Sequence, residues 1–515
     1  MNPSQLFPPV IRYDQAEMKN ILFTDLLTRG LEADLARLNP WWEGKPQPQL
    51  PPVRRWAFPI ALERLRSGLT KVTVLKGPRQ VGKTTLLRQM IEALFDQGIP
   101  AKRILLVQFD DLPELRTIKE EPILRLADWF EKHVLRETFN EASRGGRPPY
   151  IFLDEVQNLD AWAPQLKYLV DSSDVRVMVT GSSALRIELG RDSLAGRIST
   201  LEMGPLFLRE ILEIRGQGTL QPYLPANGLA ALKEKDFWLG LREFGQGHQD
   251  ERDRAFLAFS RRGAYPIAHV RADIAWEELA NNLTETVIRR AIQHDLRTGP
   301  RGQKRDERLL EEVFRLACRY IGQSPRQSLY LDEIKHAMNA DIGWQRIMAY
   351  LKFLDSTLLI RLIEPPELRL KKRRGASKLC LCDHALRAAW LQEVVPLDEA
   401  GLDQNPHLRD LAGHIAESTV GYFFKSLTNL DVAHFPERAA EPEVDFVLTI
   451  GERRIPVEVK YRSRITWEDT HGLRSFVEKS VYNAPFGVLV TQTDQITVDD
   501  PRIVNIPLSS LLLMR

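Results

Sequence analysis

A chain of 515 residues is longer than one compact core accommodates, since domains run to roughly 100–200 residues, so several folded units are expected. Charged residues at 27% and hydrophobic residues at 43% are the mixture of a soluble globular protein, and no apolar run approaches the ~20 residues of a membrane span, which excludes a membrane protein. A net charge of +2 leaves only local patches to recognise nucleic acid, while three cysteines (Cys318, Cys380, Cys382) and an N-terminus without a secretory pattern predict a reduced, cytoplasmic protein.

Residues 1–55 read as a helix followed by the proline-rich connector KPQPQLPPVRR, which cannot continue a helix. From Trp56 to about residue 215, short apolar runs (KVTVLK, RILLVQF, YIFLDE, VRVMVTGSS) alternate with amphipathic helical patterns. This order predicts a parallel sheet covered on both faces.

Within that unit GPRQVGKTT places Gly77, Gly82, Lys83 and Thr84 at the spacing of a phosphate-binding loop between a strand and a helix. Glycines let backbone N–H groups curl round phosphates at the positive end of the helix. Lys83 neutralises β/γ oxygens and the Thr84 hydroxyl ligates magnesium. The whole run Gly77, Pro78, Arg79, Gln80, Val81, Gly82, Lys83, Thr84, Thr85 is therefore the expected ATP cradle. The apolar run YIFL ends in Asp154-Glu155, at the same sheet edge, so Asp154 is expected to hold the hydrated magnesium and Glu155 to activate the attacking water. Thr180 or Ser182, closing VMVTGSS, would sense the γ-phosphate or else cap the next helix. Arg197 would serve either as an arginine finger to a neighbour in a homo-oligomer or in a surface salt bridge.

GPRQVGKTTLL, LDEVQN, VTGSSALRIELGRDSLAGRIS, MGPLFLREIL and RRGAYP together resemble the prokaryotic AAA+-superfamily ATP-binding proteins that carry an uncharacterised C-terminal domain. The likeness runs through nearly the whole chain from Trp56. It implies a P-loop NTPase core of five strands, ATP and Mg2+ as ligands, and a kinship with STAND-like switch ATPases, but supplies no substrate.

Residues 216–300 read as a helical lid or connector ending in the amphipathic AWEELANNLTETVIRRAIQHDL. In residues 301–398 three helical patterns precede two strand-like runs, the order of a winged helix-turn-helix. On the third helix, GWQRIMAYLKFLDS, Ile347, Tyr350, Leu351 and Leu354 share one face and leave Gln345, Arg346, Lys352 and Asp355 outside. The run Lys371, Lys372, Arg373, Arg374 would form a wing tip that grips DNA phosphates; a solvated hairpin or a protein contact surface is the competing reading.

Residues 399–515 read as a small α/β unit. A hairpin over 443–460 turning near Gly451-Glu452 would set Asp445 opposite or diagonal to Glu458, with Lys460 on the same face. Like charges so close invite a divalent cation. This D-(x12)-E-x-K spacing resembles the restriction-endonuclease-like superfamily, and Glu417 in the preceding helix matches its additional acidic position. The resemblance implies a second divalent site on Glu417, Asp445 and Glu458 with Lys460 as catalytic lysine; an inactive or binding version and a plain surface hairpin stand beside it. The expectation for the whole is an α/β, ATP-hydrolysing AAA+/STAND-like switch acting on DNA, with a nuclease-like C-terminal domain. The alternative is a regulatory ATPase whose C-terminal half binds protein and cleaves nothing.

Overall fold

Strands β1 (Val72–Lys76), β2 (Ile104–Gln108), β3 (Tyr150–Asp154), β4 (Arg176–Gly181) and β5 (Ile198–Glu202) form an all-parallel sheet in the order β2-β3-β4-β1-β5. The computed structural model describes residues 27–110, 118, 120–159, 161–182, 194–224, 228–297, 306–368, 371–372, 375–438, 441–496 and 498–515. β2 and β3 are buried at every position because helices cover both faces, which is why their sequences are continuous apolar runs rather than alternating ones. Leu86, Met90 and Leu94 of the helix Lys83–Asp96 pack on one face, and Leu126, Phe130, Leu166 and Val170 belong to the core of the other.

The outer edge of β2 is closed by the N-terminal segment. The helix Arg29–Leu38 buries Leu31 and Leu35, and the Asn39 side chain both donates to the Leu106 carbonyl (2.9 Å) and accepts from the Leu106 N–H (2.7 Å), as a neighbouring strand would. Both Trp41 and Trp42 donate to the Ile104 carbonyl. The folded ATP-site unit therefore reaches back beyond the proline-rich connector that the composition suggests as its start.

After β5 the helix Lys235–Gly247 lies on the last part of the chain, and Gln249–Arg262 packs between that part and the helix Leu208–Ile214: Arg242 donates to Asn505 Oδ1 (2.9 Å) and Arg252 to Ser510 Oγ (3.1 Å). Three further helices, Glu307–Arg319, Gln327–Met338 and Trp344–Ser356, precede the antiparallel pair β6 (Ile360–Ile363) and β9 (Lys378–Leu381). Between these lies a second short pair, β7 (Glu367–Leu368) with β8 (Lys371–Lys372). The chain then builds a second five-stranded sheet: β10 (Asp431–Phe435), β11 (Val444–Ile450), β12 (Arg453–Lys460), β13 (Gly487–Thr491) and β14 (Ile503–Pro507), in sequential order, antiparallel up to β12 and parallel beyond. Val457 and Val488 share a core with the helix Arg409–Ser426, while Val447 and Leu489 pack with Leu473 and Phe476 of the helix His471–Glu478.

Candidate functional site

The turn between β1 and the helix Lys83–Asp96 needs glycine twice, for different reasons. A Cβ on Gly77 would lie 2.2 Å from the Met203 carbonyl oxygen, and Gly82 adopts φ 94°, a left-handed conformation costly for other residues. Val81 is fully buried and anchors the loop from below. Arg79, Gln80, Gly82, Lys83, Thr84 and Thr85 open onto a 430 Å³ cleft, a volume in the range of small-molecule sites. The Lys83 ammonium folds back on the loop, donating to the carbonyls of Gly77 (3.0 Å) and Pro78 (2.9 Å), and lies 3.7 Å from Glu155.

Because β4 lies between β1 and β3, its last residues sit beside the acidic pair. Asp154 Oδ2 accepts from the Thr84 hydroxyl (2.7 Å) and from Gln108 Nε2 (3.2 Å), while the Thr180 hydroxyl donates to Oδ1 and accepts from the Glu155 N–H (3.1 Å). Ser182 donates to Glu155 Oε2 (3.3 Å), and Gln157 bridges the two. Burial, helped by neighbouring Glu155, pushes the Asp154 carboxyl above its ordinary range. Burial also acts to raise Glu155, but Lys83 and Arg79 outweigh it and hold this carboxyl below its usual range. Glu155 is therefore an anion at neutral pH, at φ 55° just past the end of β3. Thr180 and Ser182 hold this pair in place; residues 183–193, on which the helix-cap reading falls, lie outside the described residues.

A cation would fit here. The Thr84 hydroxyl and the Asp154 carboxylate meet at the cleft floor, a hydroxyl-carboxylate donor set suited to magnesium, and Lys83 is held by loop carbonyls that a phosphate could replace. Arg197 stands at the opposite edge of the sheet, before β5, with its guanidinium on Asp171 (2.5 Å); it does not join the cleft of its own chain.

Three residues of this site escape a motif reading. Arg55, buried, donates to the Val81 carbonyl of the loop and to the Gly204 and Pro205 carbonyls (3.0 Å each), and pairs with Glu210 (3.0 Å), itself fully buried. MGPLFLREIL thus carries the acid that fixes the loop's support. Thr286 and Arg290, from the amphipathic helix of the expected lid, line the far wall of the cleft. Nothing in their local sequence distinguishes them from solvated helix positions.

In the second sheet a two-residue turn at Gly451-Glu452 sets the β11–β12 register, and continuing it from the Phe446–Val457 pair brings Asp445 against Glu458. Glu417, Asp445, Glu458 and Lys460 converge, but around a residue the spacing does not reveal. The ammonium group of Lys378, 1% exposed, lies between Glu417 Oε2 (2.9 Å) and Asp445 Oδ1, with Glu443 3.7 Å away. Asp445 Oδ2 accepts the Val459 N–H (2.9 Å), and Glu458 accepts from Lys460 (2.5 Å) and the Asp445 N–H (3.3 Å). Lys378 holds the Asp445 carboxyl below its usual range against the effect of burial, which together with Asp445 lifts Glu458 to about 8. This arrangement does not fit a divalent ion, and among the described residues no group of three His, Cys, Asp or Glu residues is disposed to hold a metal.

The helix Trp344–Ser356 buries Ile347, Tyr350, Leu351 and Leu354 and exposes Gln345, Arg346 and Lys352; Asp355 is half-buried and accepts the Leu362 N–H (3.2 Å). Lys371 and Lys372 form β8, while Arg373 and Arg374 lie outside the described residues. No described helix is long and apolar enough to cross a membrane.

Residues 69–212 match the family model described as AAA domain, residues 254–396 a domain of unknown function (DUF8612), and residues 412–511 another (DUF4143). The chain is 27% identical over 146 residues to an uncharacterized protein of Haemophilus influenzae, covering 28% of this chain and 34%, about a third, of that relative. It is 24% identical over 357 residues to an uncharacterized protein of Methanocaldococcus jannaschii, covering 67% and 69%. Among solved structures it is similar to the Walker-type ATPase of Pyrococcus abyssi (16% identity, TM-score 0.38, 67% of this chain and 99% of that one). Another is Cdc6p of Pyrobaculum aerophilum (14%, TM-score 0.26, 67% and 96%). The AAA match and the parallel sheet that carries the loop agree on a P-loop domain of the AAA type.

Proposed function

We propose that the protein binds magnesium-ATP on residues 77–85 and hydrolyses it as an AAA+/STAND-like switch, and that its C-terminal half engages a macromolecular partner without cutting it. The observation that carries the first part is the contact of Thr84 with Asp154 at the floor of a cleft whose roof is Lys83 and whose side is the anionic Glu155. Backbone N–H groups of the loop and Lys83 receive the β/γ-phosphates. Thr84 and Asp154 hold magnesium, which when bound offsets the charge on the phosphates. Glu155, kept ionised, accepts the proton of the attacking water, and Thr180 fixes its backbone N–H while Ser182 fixes its carboxylate. When Lys83 leaves Glu155 for phosphate, the carboxylate loses its strongest opposing charge and becomes a better base.

Phosphate release by purified protein tests this. Lys83→Ala is expected to lose both nucleotide binding and turnover, and Glu155→Gln to keep binding while hydrolysis falls about 100-fold or more. Equal turnover by Lys83→Ala would sink the reading.

For the partner, the basic run Lys371–Arg374 supports DNA held through its phosphates. One observation favours a protein partner instead: along the side of the helix Trp344–Ser356 that carries Trp344, Met348 and Leu351 lies a 440 Å³ groove, with Tyr330 and Leu362 also in its lining. Neutralising Lys371–Arg374 together decides between them. Loss of DNA binding with its salt dependence supports DNA, and unchanged binding removes it.

A further inference from the structure

Five of the six carboxylate oxygens of the Glu417–Asp445–Glu458 cluster accept a hydrogen bond within the chain. Asp445 divides its oxygens between Lys378 and the Val459 N–H, Glu458 between Lys460 and the Asp445 N–H, and Glu417 gives Oε2 to Lys378 while Oε1 lies 3.6 Å from His414 Nδ1, beyond hydrogen-bond distance. A divalent cation needs several of these oxygens at about 2.0–2.6 Å, and its seat between Glu417 and Asp445 is filled by an ammonium group.

Lys378 does not belong to the C-terminal unit. It opens β9, whose residues are pinned to the helix Arg409–Ser426. The Leu381 N–H donates to Ser418 Oγ (2.9 Å), and Gly421 leaves room for Cys380, whose Sγ would lie 2.5 Å from a Cβ there. β9 is buried along its length, so the lysine is built into the interface rather than laid over it.

We infer that Lys378 is the permanent cation of this acidic site. Its ammonium group stands where a metal ion would sit between Glu417 and Asp445, and the cluster serves as a metal-independent charge lock joining residues 254–396 to residues 412–511. This goes beyond the ATPase proposal and is independent of it, since no residue of the cluster lines the nucleotide cleft. The lock predicts its own inverse. With the ammonium removed, Lys460 alone is left to balance the buried carboxylates, Glu417 and Asp445 lose the cation between them, and a divalent ion becomes the available replacement.

The test uses nucleotide-free, full-length protein, Mn2+ as probe, calorimetric titration and thermal unfolding with and without chelator. Wild type is expected to show no Mn2+ binding that Asp445→Asn abolishes, and a Tm indifferent to chelator. Lys378→Met is expected to lose about 10 °C in Tm, recover most of it with millimolar Mn2+, and gain a binding site that Lys378→Met/Asp445→Asn lacks. Wild-type Mn2+ binding lost on Asp445→Asn would overturn the inference, as would a folded Lys378→Met of unchanged Tm that takes up no Mn2+. If Lys378→Met does not fold, the comparison of wild type with Asp445→Asn decides alone.

Discussion

His269, 2% exposed in the helix Pro266–Val270, places Nε2 2.8 Å from the Gly263 carbonyl, so Nε2 carries a hydrogen and donates it. Burial, with the positive charges of Arg215 and Arg262 nearby, lowers its pKa from 6.5 to about 4. A base whose pKa is depressed by folding stabilises the native state above the unfolded value and loses that contribution as pH falls through the folded one. The window is thus pH 6.5 down to 4, and a displacement of this size corresponds to about 3 kcal/mol. Other buried groups titrate in the same window, among them His434, also lowered to about 4, so the informative quantity is a difference. Urea unfolding of His269→Gln should show a stability curve flatter than wild type by close to one proton between those pH values. Parallel curves would show that His269 does not carry the shift. Its sequence neighbourhood, RRGAYP, is visible as a turn, yet the histidine seven residues on from Arg262 gives no sign of burial. Gly77, Lys83 and Thr84 are legible by contrast because their chemistry is complete within one turn of chain.

The helix from Trp276 to Arg297 shows where a pattern of residues stops being informative. Its 3.6-residue periodicity predicts an amphipathic helix, and Leu279, Leu283, Val287 and Ile288 are buried. Residues Thr284–Arg289 are π-helical, however, and the wider turn re-aims the side chains that follow, a distortion that single-residue periodicity does not encode. Thr286 and Arg290 face the nucleotide cleft as a result. The same limit separates Asp445 and Glu458, legible because a hairpin fixes their register, from Lys378, which reaches them across 67 residues of chain. An arginine on the cleft wall can offset the charge that develops on the transferred phosphoryl group. Arg290→Ala is therefore expected to lower kcat for ATP about 100-fold with a smaller change in KM, and Arg290→Lys to recover part of it, as read in steady-state phosphate release. A kcat unchanged in the alanine variant would make Arg290 a surface residue that happens to border the cleft.

A single apolar core runs from Leu75 and Met90 beneath the loop, through Phe207 and Phe423 with ring centroids 5.9 Å apart, to Val457 and Val488 in the second sheet. Composition suggests separable units, but no boundary inferred from it marks where this core ends, because apolar faces that meet across units look like any other buried face. The route by which the cleft could be felt elsewhere is polar and short. Lys76, the residue before Gly77, lies 3.4 Å from Glu202 at the end of β5, and Glu202 pairs in turn with Arg361 of β6, the strand hydrogen-bonded to β9. All three side chains are largely shielded from solvent, so the coupling is weakly screened. Spatial continuity alone does not establish coupling; a shared response does. Magnesium-ATP is expected to slow amide hydrogen exchange in β6 and β9 of wild type, and Glu202→Gln to remove most of that slowing. Its ATP affinity should change less than about threefold, because Glu202 does not line the cleft. If the variant protects β6 and β9 as fully as wild type, the signal travels through the apolar core instead, and the Lys76–Glu202–Arg361 chain is only a salt-bridge network of the junction.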